Sequence, residues 1–162
     1  MSSPTGSSAA STSAEAGSTR AETAALQEAL AAEHAAIWGY GAVGAALPAG
    51  DRAGAVTDGD AHRDLRDRLA VLLEARDEEP VATRAAYTLP FPVLSAVDAA
   101  TLAVTLEDGT TSTWVWVLGQ AADRSVRELA VAAASAAEVR AVAWRVRAGV
   151  TPPTSATPGL AD

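Results

Sequence analysis

The chain has 162 residues, a length that suits one domain. Its net charge is −8 and it contains no lysine, so it lacks the basic stripe that a nucleic-acid-binding protein needs. Apolar residues make up 49% of the chain and aromatic residues only 4%, which with abundant alanine favours helices over strands. The absence of cysteine excludes disulfides, thiolate metal sites and thiol nucleophiles.

The two ends of the chain differ in composition from the middle. Residues 1–20 are rich in Ser, Thr and Ala and lack the apolar stretch of a signal peptide, so we predict a disordered tail there. Residues 150–162 are rich in Pro and Thr and predict a second tail, which leaves 21–149 as the folded domain. No apolar run is long enough to span a bilayer, and we expect a cytoplasmic protein without membrane contact.

The first predicted helix begins at about Glu22. Its inward stripe recurs at helical spacing, which places Glu33 among apolar positions and His34 just beside them. The stripe consists of Leu26, Leu30, Glu33, Ile37, Tyr40, Gly44 and Leu47.

The second predicted helix begins near Pro48 or Asp51, because proline suits a first helical turn and aspartate suits a cap. Its stripe has the same spacing and turns His62 inward. The stripe consists of Ala55, Asp58, His62, Leu65, Leu69 and Leu72.

A proline-containing connection, residues 77–95, separates these helices from two more, predicted over 96–121 and from Asp123 to about Ala148. The segment DGTTSTWVWVLG also fits a short strand after a turn, and that alternative stays open. Short turn, long crossover and short turn predict an all-α fold, a four-helix bundle of two antiparallel hairpins.

One polar residue from each helix falls near the middle of this bundle. Glu33 and His62 are about equally far from the first turn, and Glu107 and Glu138 are about equally far from the second. Three carboxylates and an imidazole suit iron, manganese or zinc. A metal-free layer, with Arg140, Arg145 or Arg147 paired to an inward carboxylate, satisfies the same residues.

The sequence GYGAVG, residues 39–44, matches a dinucleotide-binding fingerprint but lies inside a helical repeat without a preceding strand. Small residues that let two helices approach closely are the better interpretation. The glycines also fit carriage of a ligand between helices, although no diagnostic residue accompanies them.

Four stretches resemble a bacterial family of small ferritin-like domains whose role is uncharacterised. They are, in this order, EALAAEHAAIWGYG, AHRDLRDRLAVLL, AAYTLPFPV and TPGL, and the resemblance covers about residues 22–160. The resemblance implies a ferritin-like four-helix bundle and supplies no activity.

The wider ferritin-like superfamily holds two metal ions with glutamates and two Glu-x-x-His motifs. The resemblance matches four residues to that pattern: Glu33, His62, Glu107 and Glu138. Gly59 and Ala141 replace an expected acid and an expected histidine, and Asp58 is a partial substitute. These departures leave ligands for one iron or manganese ion at most.

We therefore predict a non-catalytic structural or interaction module with a degenerate di-metal site, forming a homodimer through an alanine and tryptophan face. The alternative is an iron- or manganese-binding bundle with residual redox activity.

Overall fold

Four helices account for most of residues 7–160, the part of the chain that the computed structural model describes, with side chains from residue 13 onward. The helices are α1 (Ser7–Ala46), α2 (Arg52–Glu74), α3 (Ala96–Gln120) and α4 (Arg124–Ala148), and a 3₁₀ turn, Ala49–Asp51, joins the first two. Helix α1 packs against α2 and α3, and α3 packs against α4. The predicted all-α four-helix bundle is confirmed.

The start of α1 differs from the prediction. The helix begins at Ser7 rather than near Glu22, so residues 7–20 are helical, whereas residues 1–6 lie outside the described range. Residues 13–20 are all exposed, so this extension rests on the helix propensity of its alanines and glutamate and on propagation from the packed part of α1, not on core contacts.

The connection between the hairpins, residues 75–95, is irregular, as its prolines predict. It is held to α1 by side chains. Gln27 donates to the Glu79 carbonyl at 2.7 Å and accepts from the Val81 amide at 2.8 Å, while His34 Nε2 lies 3.2 Å from the Val81 carbonyl. The crossover therefore runs along one side of the first helix.

The segment DGTTSTWVWVLG is helical throughout, and no strand occurs within residues 7–160, so the strand alternative was wrong. Its threonines favour strands by composition, but in α3 the hydroxyls of Thr110 and Thr113 donate to the carbonyls of Glu107 and Gly109. These bonds satisfy two of the segment's three threonine hydroxyls within the helix.

Two apolar clusters fill the bundle. One contains Leu26, Leu30, Leu69, Leu73, Trp114 and Val117, and the other contains Val43, Leu47, Leu102, Ala103 and Trp144. On every helix the stretch between the two clusters carries at least one buried or nearly buried polar residue. The fold thus places a polar layer between two apolar halves.

Gly39 of α1 packs against Leu106 of α3. A Cβ added there would lie 2.7 Å from Leu106 Cδ1, so the leucine side chain would have to shift to admit a larger residue. The glycine-rich stretch lies within α1, so its interpretation as a helix-packing feature is confirmed for Gly39.

The buried acid Glu22 of α1 links this helix to the end of α2 and to the start of α4. Its carboxylate accepts from Arg76 Nη2 at 2.8 Å and from the Asp123 amide, just before α4, at 2.7 Å. Burial alone would raise the pKa of Glu22, but these hydrogen bonds lower it below its ordinary value. These contacts have no local sequence signature, because they join residues 54 and 101 positions apart in the chain.

The C-terminal segment folds back onto the bundle. Gly149 ends α4 with φ 77°, and Arg145 Nη1 donates to the Pro153 carbonyl at 3.2 Å. A Cβ on Gly159 would lie 2.6 Å from Val115 Cγ2, so this glycine packs tightly against α3. Residues 150–160 are therefore irregular, as predicted, but in contact with the core helices. No helix within residues 7–160 is long and apolar enough to cross a bilayer.

Candidate functional site

Three of the four predicted site residues meet in the polar layer. His62 Nδ1 lies 2.6 Å from Glu33 Oε2, and His62 Nε2 lies 3.2 Å from Glu107 Oε1. All three side chains are fully buried. Helices α1, α2 and α3 each contribute one of them. The three residues therefore share one layer of the bundle, as their distances from the turns predict.

Glu138, the fourth predicted residue, does not join them. It accepts from Arg145 Nη1 at 2.8 Å and remains 18% exposed. On α4 the core-facing positions are Ala137, Ala141 and Trp144, and a residue one step beyond Ala137 is rotated by about 100° from that face. The structure therefore does not bring Glu138 to the buried trio.

Arg140 is the residue that α4 contributes to the layer. Its Nε donates to Glu107 Oε1 at 2.8 Å, and its side chain is 14% exposed. A metal-free layer, with an arginine paired to an inward carboxylate, was one of the two alternatives that the sequence left open. Where a ligand was expected from this helix, the bundle places a cation.

Two aromatic side chains donate further hydrogen bonds to the two carboxyl groups. Tyr40 donates its hydroxyl to Glu107 Oε1 at 2.5 Å, and Trp114 Nε1 donates to Glu33 Oε1 at 2.8 Å. Tyr40 lies on the predicted inward stripe, but the sequence assigns no partner to its hydroxyl. A tryptophan or tyrosine on the same stripe as a buried acid is the signal that identifies such donors.

The charges of the layer balance. Burial alone would lower the pKa of His62, but hydrogen bonds and charge from Glu107 and Glu33 outweigh it and raise the pKa to about 9. Burial would raise the pKa of Glu107, but His62 and Arg140 bring it below its ordinary value. At neutral pH, an imidazolium and a guanidinium therefore face the Glu107 carboxylate.

Asp58 lies at the edge of this group. It accepts from Trp144 Nε1 at 2.8 Å, and burial together with the charge of Glu107 raises its pKa above the ordinary value although the Trp144 bond lowers it. Asp58, the partial substitute for the missing acidic ligand, thus accepts a hydrogen bond from the Trp144 indole and forms none with His62.

The donor set fits a metal ion poorly. An imidazolium has no ring lone pair to offer, and the Glu33 and Glu107 oxygens that face His62 accept its N–H groups. Within residues 13–160, no three His, Cys, Asp or Glu side chains are grouped in a way that could hold a metal. Three buried atoms have no hydrogen-bond partner among the described residues: Glu107 Oε2, Thr111 Oγ1 and Arg140 Nη2.

The fold and this layer define a four-helix bundle with a buried, charge-balanced polar centre. Residues 25–162 match the family model described as "Domain of unknown function (DUF4439)", and the chain belongs to this family.

The crystal structure of a conserved hypothetical protein from Mycobacterium tuberculosis is similar to this chain. The two share 38% sequence identity with a TM-score of 0.76, over 78% of this chain and 96% of the other. A search of curated proteins finds no significant match.

Proposed function

We propose that the chain is a ferritin-like bundle whose di-metal centre has been replaced by an ion-paired layer, and that it acts as a non-catalytic structural or interaction module. The observation that carries this proposal is the contact of Arg140 with Glu107, 2.8 Å apart, in a layer that also contains His62 and Glu33. The positively charged side chains of Arg140 and His62 compensate the acids of the layer, as a metal ion does in a carboxylate site.

The opposing reading is a bundle that binds iron or manganese. The convergence of Glu33, His62 and Glu107 favours it, since these are suitable ligand types. Binding would require His62 to lose a proton and Arg140 to leave Glu107, so two favourable contacts must be given up before any metal bond forms. Gly59 and Ala141 supply no replacement ligand.

Metal content separates the two readings. We expect tag-free protein to contain far less than one metal ion per chain and to give no saturable heat when titrated with Mn²⁺, or with Fe²⁺ without oxygen. Elemental analysis and calorimetry measure this, with His62→Ala as the matched variant, which should behave like the native protein. Stoichiometric metal that both His62→Ala and Glu33→Gln remove would contradict the proposal and establish the metal-binding alternative.

A module without chemistry in its core acts through its surface. Trp38 and Trp116 are the tryptophans that remain partly exposed, whereas Trp114 and Trp144 are buried. The homodimer through an alanine and tryptophan face stays a prediction, as do the absence of nucleic-acid binding and the cytoplasmic location.

A further inference from the structure

The outer face of α4 is apolar along four turns of the helix. The core side of α4 carries buried Ala137, Ala141 and Trp144, but the side that faces away from the bundle is uncharged as well. A surface helix normally carries charged residues on its outer face, whereas a helix that is apolar all round is covered on both sides. We call the following eight exposed or half-buried positions the outer α4 face: Val131, Ala132, Ser135, Ala136, Val139, Val142, Ala143 and Val146.

Valines supply most of the apolar surface of the outer α4 face. Val131, Val139 and Val146 are 50%, 70% and 62% exposed. Together with Ser135 and Val142 they follow steps of 4, 4, 3 and 4 residues, which is the spacing of a seam between two packed helices. The seam is about 24 Å long, and residues 13–160 leave it uncovered. A contiguous exposed apolar surface of this kind marks an interaction site.

The exposed valines of α2 have different surroundings. Val56 lines a surface groove together with Arg63, and Val71 lies beside Asp67 and Arg68. These two valines are 58% and 64% exposed, about as much as those of α4, but charged side chains accompany them. They are ordinary surface residues on a face that stays in water, and they offer matched controls for the valines of α4.

The distribution of charge favours a second copy of this chain as the partner. The protein has a net charge of −8, so two copies repel each other across most of their surfaces. The outer α4 face carries no charged side chain, and from Leu129 to Ala137 the helix has none on any side. Two copies that meet on this face bring no like charges together, and each presents the same apolar surface to the other, as a two-fold interface requires.

Glu128 sets the direction in which two such helices pair. This acid is 65% exposed and precedes Val131 by three residues. Val146 follows it by 18 residues, which is five full turns, so Glu128 lies on the same side of α4 as the seam. A parallel pair would place Glu128 of both copies at one level, where like charges repel. An antiparallel pair separates the two acids to opposite ends of the interface.

We infer that α4 pairs antiparallel with α4 of a second copy, with Val139 at the two-fold axis and Val131 of each copy against Val146 of the other. The inference rests on the interaction role proposed above, for which it names the partner, and it does not depend on the state of the polar layer. The exposed tryptophans Trp38 and Trp116 lie on α1 and α3, so experiments can distinguish this interface from one that contains tryptophan.

The association of the tag-free protein tests the interface. We expect a monomer–dimer equilibrium in sedimentation experiments from about 1 to 100 μM, since an interface built mainly from one helix pair is small. Val139→Arg should weaken dimerisation about tenfold or more, because it brings two like charges together at the axis. The position is exposed, so the helix content should be unchanged. Val71→Arg is the matched control and should dimerise like the native protein.

Disulfide cross-linking tests which residues meet, because the chain has no cysteine of its own. Val139→Cys should form a disulfide-linked dimer on oxidation by diamide, since a residue at the two-fold axis meets its own copy. Val131→Cys should cross-link when mixed with Val146→Cys, but neither variant should cross-link alone. Val71→Cys and Trp116→Cys should stay monomeric under the same conditions.

Three results would overturn the inference. The first is a native protein that stays monomeric up to about 100 μM, which would leave the outer α4 face to a different partner. The second is cross-linking of Trp116→Cys in place of Val139→Cys, which would move the interface to α3. The third is cross-linking of Val131→Cys with itself, which would show a parallel pair. None of these results bears on the polar layer, whose test is the metal content.

Discussion

Replacing Arg140 with methionine is expected to lower the free energy of unfolding by about 3–5 kcal/mol. The substitution keeps an unbranched side chain of similar length but removes the cation that lies 2.8 Å from Glu107. Glu107 is fully buried, so its carboxylate would keep only His62 as a charged partner. Denaturation by urea at neutral pH measures the loss.

A matched control is available on the same helix. Arg124 also lies 2.8 Å from a carboxylate, that of Glu128, but its side chain is 86% exposed. Arg124→Met should therefore change the stability by less than about 1 kcal/mol. Losses of similar size in the two variants would show that Arg140 is an ordinary surface arginine and would contradict the account.

A second substitution locates the cause of the loss. If Arg140→Met acts by leaving Glu107 uncompensated, then adding Glu107→Gln should recover much of the lost stability, because the uncompensated charge is removed. Additive losses in the double variant would mean that Arg140 stabilises the bundle through packing alone.

The stability of the bundle should fall as the pH rises from 6.5 to about 9. The pKa of His62 is raised from 6.5 to about 9 in the folded protein, so its contribution is fully present below pH 6.5 and is lost as pH passes through the folded value. The shift corresponds to roughly 3 kcal/mol. Unfolding free energies measured across this range in urea give the slope.

The variant His62→Gln isolates this effect from other titrating groups. Glu33, Glu107, Asp58 and Arg140 surround the imidazole and remain in the variant, and Tyr40 has a pKa raised by burial and by Glu107. The difference between the native and variant slopes therefore reports on His62. Parallel curves from pH 6.5 to about 9 would contradict an ion-paired imidazole.

Most of the fold was readable from the sequence because helical spacing and turn residues agree. The starts of α3 and α4 and the end of α4 match their predicted positions, which Ser95, Asp123 and Gly149 mark. The early start of α1 was not readable, since its exposed Ser, Thr and Ala residues carry no packing pattern.

The candidate site was predicted in three of its helices and missed in the fourth. On α1 and α2, leucines and aromatic residues define one face, so the rotation of Glu33 and His62 follows from the sequence. On α3, Leu102 and Leu106 compete for the core side, and the sequence leaves the rotation of Glu107 open. On α4, most neighbours of Glu138 and Arg140 are alanines, so the hydrophobic pattern does not show which of the two residues faces the core. The rotation of the helix is set by tertiary packing, through buried Trp144 and Ala137.

The C-terminal segment shows a similar limit. A stretch rich in proline and threonine reads as a tail whether or not it contacts the domain. Its contacts depend on the close approach of Gly159 to α3 and on the bond from Arg145 to the Pro153 carbonyl. Neither contact has a local signature, because each joins residues through the fold of the helices between them.

The protonation state of His62 tests the central claim most directly. Nitrogen NMR of the imidazole, assigned by the signals that His62→Gln removes, reports whether each ring nitrogen carries a proton. We expect both nitrogens to be protonated at neutral pH, with a pKa near 9, because Glu33 and Glu107 each accept one of the two N–H groups. A neutral ring at neutral pH, with one nitrogen unprotonated and free to bind a metal, would contradict the ion-paired layer.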